Sequence, residues 1–170
     1  MMMEKFGNEE SPDKPEVRFA SVSDAPALAV LRYDLRASTG RATEPRTDFM
    51  QRCTSWMEIR LHETERWRCW VAEEKGGLIG AVWVQLIEKI PNPRFETEQH
   101  GYLTNFYVAK PARGQGLGSR LLREAIKWCE SRGVHAIILW PTDRSRSLYQ
   151  RHGFAVREDI MELILNRPEQ

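Results

Sequence analysis

Two spacings of apolar residues alternate along the chain, and each spacing predicts one kind of secondary structure. Short runs rich in apolar and β-branched residues predict strands, whereas apolar residues three and four positions apart predict helices. The predicted strands cover residues 17–20, 67–73, 78–88, 102–108, 134–140 and 154–165. The predicted helices begin at Ser23 or Asp24, at Thr47 or Asp48, at Leu117 and at Arg144, and the last two end at residues 131 and 151.

The order of these elements, β-α-α-β-β-β-α-β-α-β, predicts an α+β fold. The segment Lys75-Gly76-Gly77 lies between two predicted strands and predicts a hairpin turn, while residues 90–94 contain two prolines and predict a loop. The strand–helix–strand unit from residue 102 to residue 140 predicts a right-handed parallel crossover. We therefore expect a mixed, mostly antiparallel central sheet with one parallel strand pair and helices on both faces.

Length and composition narrow the classes of protein that fit the chain. Its 170 residues predict one domain over residues 17–170, after a polar tail over residues 1–16 that lacks the apolar core of a secretory signal. The net charge of +1 argues against a nucleic-acid-binding protein that depends on a basic surface, and no apolar run reaches membrane-spanning length. The three cysteines form no CxxC spacing and the histidines no metal-ligand spacing, so we expect no metal site, and reduced thiols in the cytoplasm.

The strongest chemical signal is the segment Arg113-Gly114-Gln115-Gly116-Leu117-Gly118-Ser119, which opens a predicted helix. A glycine-rich turn at a helix N-terminus presents backbone N–H groups and the positive end of the helix dipole, and so predicts a phosphate site. The segment lacks the Lys-Ser or Lys-Thr of a P-loop, and Ser119 stands where the G-x-G-x-x-G motif has its third glycine. The spacing therefore disfavours an NAD- or ATP-binding protein.

The same segment fits the pattern [RQ]-x-x-G-x-[GA], and two further segments accompany it. Asn105-Phe106-Tyr107-Val108-Ala109-Lys110-Pro111 precedes it, and Leu148-Tyr149-Gln150-Arg151-His152-Gly153-Phe154 follows it. Together these segments resemble the GNAT superfamily of N-acetyltransferases, closely over residues 102–154 and in general terms over residues 17–88. The resemblance implies a GNAT-like fold with a splayed parallel strand pair, acetyl-coenzyme A as co-substrate, and direct attack by a primary amine in a ternary complex.

The resemblance also implies roles for individual residues. The loop would bind the pyrophosphate of acetyl-coenzyme A, and the strand before it would pair with the pantetheine arm as a peptide pairs with a sheet edge. The Phe106 N–H would stabilise negative charge on the thioester oxygen, and the Tyr149 hydroxyl would protonate the departing thiolate. Thr142 and Ser145 depart from the residues common in the family, so cofactor contacts from that helix are expected to differ. The implied cofactor-binding residues are Phe106, Tyr107, Val108, Arg113, Gly114, Gln115, Gly116, Leu117, Gly118, Ser119, Ser145 and Tyr149.

The sequence leaves the general base open. The strand over residues 102–108 contains no carboxylate and no histidine, although an amine acceptor must lose a proton before it attacks. The nearest candidates are Glu88, Glu96, Glu98 and His100, and a chain of water molecules to the solvent would serve as well.

The acceptor and the assembly are open too. The segments expected to bind the acceptor carry no charge patch of a single sign, which favours a small amino compound or a protein N-terminus over a polycation. A coenzyme A-binding module without catalysis is the alternative function, and the missing carboxylate supports it. The apolar run over residues 160–165 is compatible with a homodimer formed through the last strand, and equally with an edge strand within one chain.

Overall fold

The computed structural model describes residues 14–93 and 99–165. Residues 1–13 of the predicted tail lie outside the described residues, and the first strand begins at Glu16. The strands are β1 (Glu16–Phe19), β2 (Trp67–Glu74), β3 (Gly77–Glu88), β4 (Gln99–Val108) and β5 (Ala136–Ile138). The helices are α1 (Ala25–Ala37), α2 (Arg46–His62), α3 (Leu117–Ser131) and α4 (Asp143–Arg151).

The five strands form one mixed sheet in the order β1-β2-β3-β4-β5. Neighbouring strands are antiparallel from β1 to β4, and β4 and β5 are parallel. Since α3 connects the parallel pair, the prediction of an α+β fold with a mostly antiparallel sheet and one parallel crossover is confirmed.

The predicted hairpin joins β2 to β3. Lys75 and Gly76 both have positive φ, 51° and 75°, which is the backbone of a two-residue turn whose twist matches that of the strands. The next strand, β3, is a nearly continuous apolar run in the middle of the sheet, and both of its faces are buried there.

Helices cover both faces of the sheet. On one face, Leu28 and Leu31 of α1 and Met57 of α2 pack in a core cluster with Trp83 and Tyr107 of the sheet. On the other face, α3 approaches so closely that a Cβ at Gly80 would lie 3.1 Å from Leu121, and one at Gly101 would lie 3.2 Å from the Cys129 sulfur. These two glycines allow α3 to lie close against β3 and β4.

The predicted strand over residues 154–165 is wrong. All of these residues are described and none of them is in a strand. A strand exists only when its backbone pairs with another strand, and an apolar run cannot reveal whether a partner is available. The side chains of this segment are instead exposed, to 97% at Met161 and 82% at Leu163 and Leu165. The predicted strand over residues 134–140 is shortened to β5.

The chain divides between Trp140 and Pro141 into two compact units. The first contains the sheet and α1 to α3, and the second contains α4 and the segment after it. Among the described residues, no helix has the length and apolarity to cross a membrane.

Candidate functional site

The glycine loop adopts a backbone that side chains disfavour. Gly114 and Gly116 have φ values of 77° and 76°, in the left-handed region where a Cβ is strained. A Cβ built at either position would meet no atom within 4 Å. The glycines are therefore required by the shape of the backbone, and the space in front of the loop is open.

The loop ends in an uncapped helix N-terminus. Gly116 is the N-cap of α3, no side chain caps it, and the first turn contains no acidic residue. The bond from the Arg120 N–H to the Gly116 carbonyl, 3.1 Å, closes the first turn, so the N–H groups of Leu117, Gly118 and Ser119 point out of the helix end. Such an end attracts an anion through both its hydrogen-bond donors and the helix dipole.

The side chain of Arg113 fixes the loop to the end of β4. Its Nε donates to the Val108 carbonyl at 2.7 Å, and its guanidinium lies over the Tyr107 ring, 5.4 Å from the ring centre. Its backbone N–H donates to the Lys110 carbonyl at 3.3 Å. The observed contacts of Arg113 therefore position the loop against the strand that precedes it.

β4 carries a bulge beside this loop. Trp83 of β3 lies opposite Thr104 and Ala81 lies opposite Tyr107, so two β4 residues, Asn105 and Phe106, face one β3 residue. Asn105 has a φ of 49°, a conformation that asparagine tolerates better than most residues. The extra residue turns Tyr107 onto the face of the sheet that α1 and α2 cover, where its side chain is buried.

β4 and β5 pair only at their first residues. The pairs are His100 with Ala136, Gly101 with Ile137 and Tyr102 with Ile138, after which β5 ends while β4 continues to Val108. Within the described residues, the stretch 103–108 of β4 therefore has no strand beside it on the β5 side. Phe106, Tyr107 and Val108 lie in the part of β4 that the β5 pairs do not reach, and this part leads into the glycine loop.

Tyr149 of α4 is buried and protonated. Its ring packs edge-on against Phe154 with the ring centres 5.6 Å apart, and burial raises the pKa of its hydroxyl to about 12. A phenol with this pKa keeps its proton at neutral pH and can donate it.

Ser145 has a structural role at the start of α4. Its hydroxyl accepts from the Thr142 N–H at 2.9 Å, and its own N–H donates to the Thr142 hydroxyl, which together form a capping box. Thr142 and Ser145, the two residues that depart from the family pattern, therefore form the cap of α4 together.

The candidate bases lie away from the bulge along the chain. Glu88 is exposed at the end of β3, and the rings of His100 and His135 lie 5.7 Å apart at the start of the parallel pair. Glu96 and Glu98 lie outside the described residues. No three His, Cys, Asp or Glu side chains of the described residues are grouped so that they could hold a metal ion.

One residue that lies at the bulge, Arg32, was not identified from the sequence. Arg32 of α1 donates from Nη1 to the Asn105 Oδ1 at 3.3 Å. Burial, together with the charge of Arg36, lowers the pKa of the Arg32 guanidinium. The available signal was an arginine four residues after Leu28, on the same helical face as that buried leucine.

A family profile settles the relationship of this chain to known proteins. The profile of the acetyltransferase (GNAT) family matches residues 32–154, which include the bulge, the glycine loop and α4. The chain belongs to the GNAT acetyltransferase family. The bulge in β4, which the sequence could not show, lies within the residues that the family profile matches.

Individual GNAT relatives match over different lengths. The chain is 32% identical over 108 residues to mycothiol acetyltransferase of Amycolatopsis mediterranei (strain U-32), which covers 59% of this chain and only 36% of that protein. It is 28% identical over 158 residues to the uncharacterized N-acetyltransferase YhfO of Bacillus subtilis (strain 168), which covers 89% of this chain and 97% of that protein.

A solved structure shows the same fold. The crystal structure of a predicted acetyltransferase from Clostridium acetobutylicum, solved with acetyl-coenzyme A, superposes with a TM-score of 0.76 at 26% identity, over 89% of this chain and 96% of that chain. Its agreement with this chain extends over nearly the whole length of both proteins.

Proposed function

We propose that this protein is an N-acetyltransferase that transfers the acetyl group of acetyl-coenzyme A to a primary amine by direct attack in a ternary complex. The observation that carries the proposal is the bulged end of β4, which has no strand partner on one side and runs directly into the glycine loop. Membership of the GNAT family and the likeness to a structure solved with acetyl-coenzyme A support it.

The loop and the strand would hold the cofactor. The loop from Gly114 to Ser119 suits a pyrophosphate, because it forms the positive end of α3 and no carboxylate stands in the first turn. The edge of β4 over residues 106–108 suits an amide-rich pantetheine arm, which can pair with it as an added strand. When bound, acetyl-coenzyme A supplies the activated acetyl group.

The chemistry would take place at the bulge. The Phe106 N–H is the proposed donor to the thioester oxygen, where negative charge develops as the amine nitrogen bonds to the acyl carbon. As the carbon–sulfur bond breaks, the sulfur takes the electron pair, and the Tyr149 hydroxyl, at the position that the family motif indicates, is the proposed source of its proton. The proton lost by the amine passes to water or to a side chain outside residues 102–108, because that stretch contains no basic side chain.

Two finer assignments belong to the same proposal. We place the protein in the cytoplasm, since all three cysteines are free and Cys69 and Cys129 are buried thiols. We also propose a homodimer in which the exposed apolar segment of residues 160–165 contacts a second copy, because burial of these side chains would remove apolar surface from water. Light scattering of the full chain, compared with a Leu163→Asp variant, tests the dimer: a monomeric wild type would contradict it.

Release of free thiol tests the reaction. Purified protein is incubated with acetyl-coenzyme A and a panel of primary amines, and coenzyme A is measured with a thiol reagent. The proposal predicts release that depends on both the enzyme and the amine, and an N-acetylated product of the expected mass. Tight binding of acetyl-coenzyme A without amine-dependent release would instead support the non-catalytic binding module, which the missing carboxylate on β4 favours.

A further inference from the structure

Arg32 is placed where the amine acceptor of the proposed reaction would lie. It belongs to α1, and its guanidinium reaches the Asn105 side chain at the β4 bulge. Asn105 is the neighbour of Phe106, the proposed donor to the thioester oxygen. The cationic group is therefore hydrogen-bonded to the residue that adjoins the proposed thioester-binding residue.

The charge of Arg32 is not compensated within the described part of the chain. Its side chain is half-buried and forms no salt bridge with any described carboxylate. Burial, and next the repulsion from the cation of Arg36, lower the pKa of its guanidinium. Glu44, whose carboxylate acts on the neighbouring Cys53, forms its ion pair with Arg52 at 2.5 Å.

Half-burial of this cation, with no described carboxylate paired to it, is unfavourable because the charge loses hydration without a compensating ion pair among the described residues. A guanidinium has five N–H donors, and the bond to Asn105 uses one of them. Its planar fork fits a carboxylate through two parallel hydrogen bonds. A ligand with one negative oxyanion group would satisfy both the charge and the donors.

We propose that Arg32 binds the carboxylate of the acetyl acceptor, and that the acceptor is a free amino acid or a close analogue with its carboxylate one or two carbons from the amine. This assignment rests on the proposed acetyltransferase function and names its substrate class. The short separation is part of the proposal, and its basis is that Arg32 binds Asn105, the residue next to Phe106. A protein N-terminus fits less well, because its carboxyl group is a neutral amide.

The experiment compares free α- and β-amino acids with their carboxamides in the thiol-release assay. The variants are Arg32→Met, which keeps most of the apolar stem, Arg32→Lys, which keeps the charge, and the control Arg52→Met on the exposed face of α2. Arg32→Met is expected to raise KM for the free amino acids by about 10- to 100-fold, the loss of a charge-assisted pair, and to change KM for the carboxamides by about twofold or less.

Three further readouts separate recognition from a structural role. KM for acetyl-coenzyme A should stay the same in every variant, Arg32→Lys should recover part of the loss, and Arg52→Met should resemble the wild type. The unfolding midpoint of Arg32→Met should stay or rise, since an uncompensated charge has been removed. A lowered midpoint with equal losses for acids and carboxamides would show that Arg32 only supports the fold, and would overturn the proposal.

The proposal and the function on which it rests fail differently. Equal acetylation of carboxamides and free acids by the wild type would overturn the role of Arg32 and leave acetyl transfer intact. If acetyl-coenzyme A binds but no amine reacts, calorimetric titration of the protein–coenzyme A complex with the amino acids tests whether Arg32 binds their carboxylate. Absence of amino-acid binding in that titration would overturn the proposal. Absence of any acetyl-coenzyme A binding would remove the proposed function and the acceptor assignment together.

Discussion

Replacement of Gly116 by alanine should weaken acetyl-coenzyme A binding through the shape of the loop. Gly116 has a φ of 76°, and a Cβ there would meet no atom within 4 Å, so the cost to the fold is conformational and not steric. A side chain in the left-handed region costs about 1–2 kcal/mol. For a chain of this length each kcal/mol lowers the unfolding midpoint by about 2–4 °C, so we expect a loss of about 2–8 °C.

The effect on the cofactor should exceed that of ordinary destabilisation. Gly116 sets the direction of the first N–H groups of α3, and an alanine that relaxes its φ would turn at least one of them away from the pyrophosphate. A hydrogen bond to a charged group contributes about 1.5–3 kcal/mol, which corresponds to about a 10- to 100-fold increase in Kd. Calorimetric titration with acetyl-coenzyme A, at a temperature well below the unfolding midpoint, measures the Kd of the variant and of the wild type.

Gly40 provides the matched control. It also has a positive φ, 68°, and a Cβ there also meets no atom within 4 Å, but it lies in the connection between α1 and α2. Gly40→Ala should therefore lose similar stability and keep the wild-type Kd. Equal Kd values for the two variants and the wild type would refute the assignment of the loop to pyrophosphate binding.

Two titratable groups give further predictions. Tyr149→Phe should lower kcat by about 100-fold or more and leave KM for acetyl-coenzyme A unchanged. Because burial raises the pKa of Tyr149 to about 12, the wild type should also lose stability between about pH 10 and 12, and more steeply than the variant, when unfolding by urea is measured. The hydrogen bond from Arg18 lowers the pKa of Asp24 to about 2, so the stability that this carboxylate contributes is complete above about pH 4 and is lost as the pH falls through 2. Asp24→Asn should cost about 2 kcal/mol at pH 7 and should flatten this acid limb in the same unfolding assay. If Tyr149→Phe or Asp24→Asn showed the same pH dependence of stability as the wild type, the pKa assigned to that residue would be contradicted.

Features that depend on local backbone chemistry were predictable from the sequence. The glycine loop is an example, because the left-handed φ at Gly116 and the start of α3 at Leu117 both follow from residues within a few positions. The hairpin at Lys75 and Gly76 is another, since two short apolar runs flank it. The parallel crossover between residues 102 and 140 then followed from the strand–helix–strand order.

Features that depend on pairing between distant segments were not predictable in the same way. The bulge at Asn105 is a property of the register between β3 and β4, and neither strand alone specifies it. The segment of residues 154–165 has the composition of a strand, but no strand forms there, because composition does not supply a partner. The position of Arg32 beside the bulge required the packing of α1 on the sheet, which brings together residues 73 positions apart in the chain.

Thermal unfolding with and without acetyl-coenzyme A tests the central claim most directly, with NAD and ATP as controls. A ligand at about one hundred times its Kd should stabilise the folded protein by about 2.7 kcal/mol, which appears as a raised midpoint. The bulged β4 and the glycine loop predict this rise with acetyl-coenzyme A and none with the two nucleotides. An unchanged midpoint, or a rise with NAD or ATP in its place, would contradict the assignment of this site to acetyl-coenzyme A.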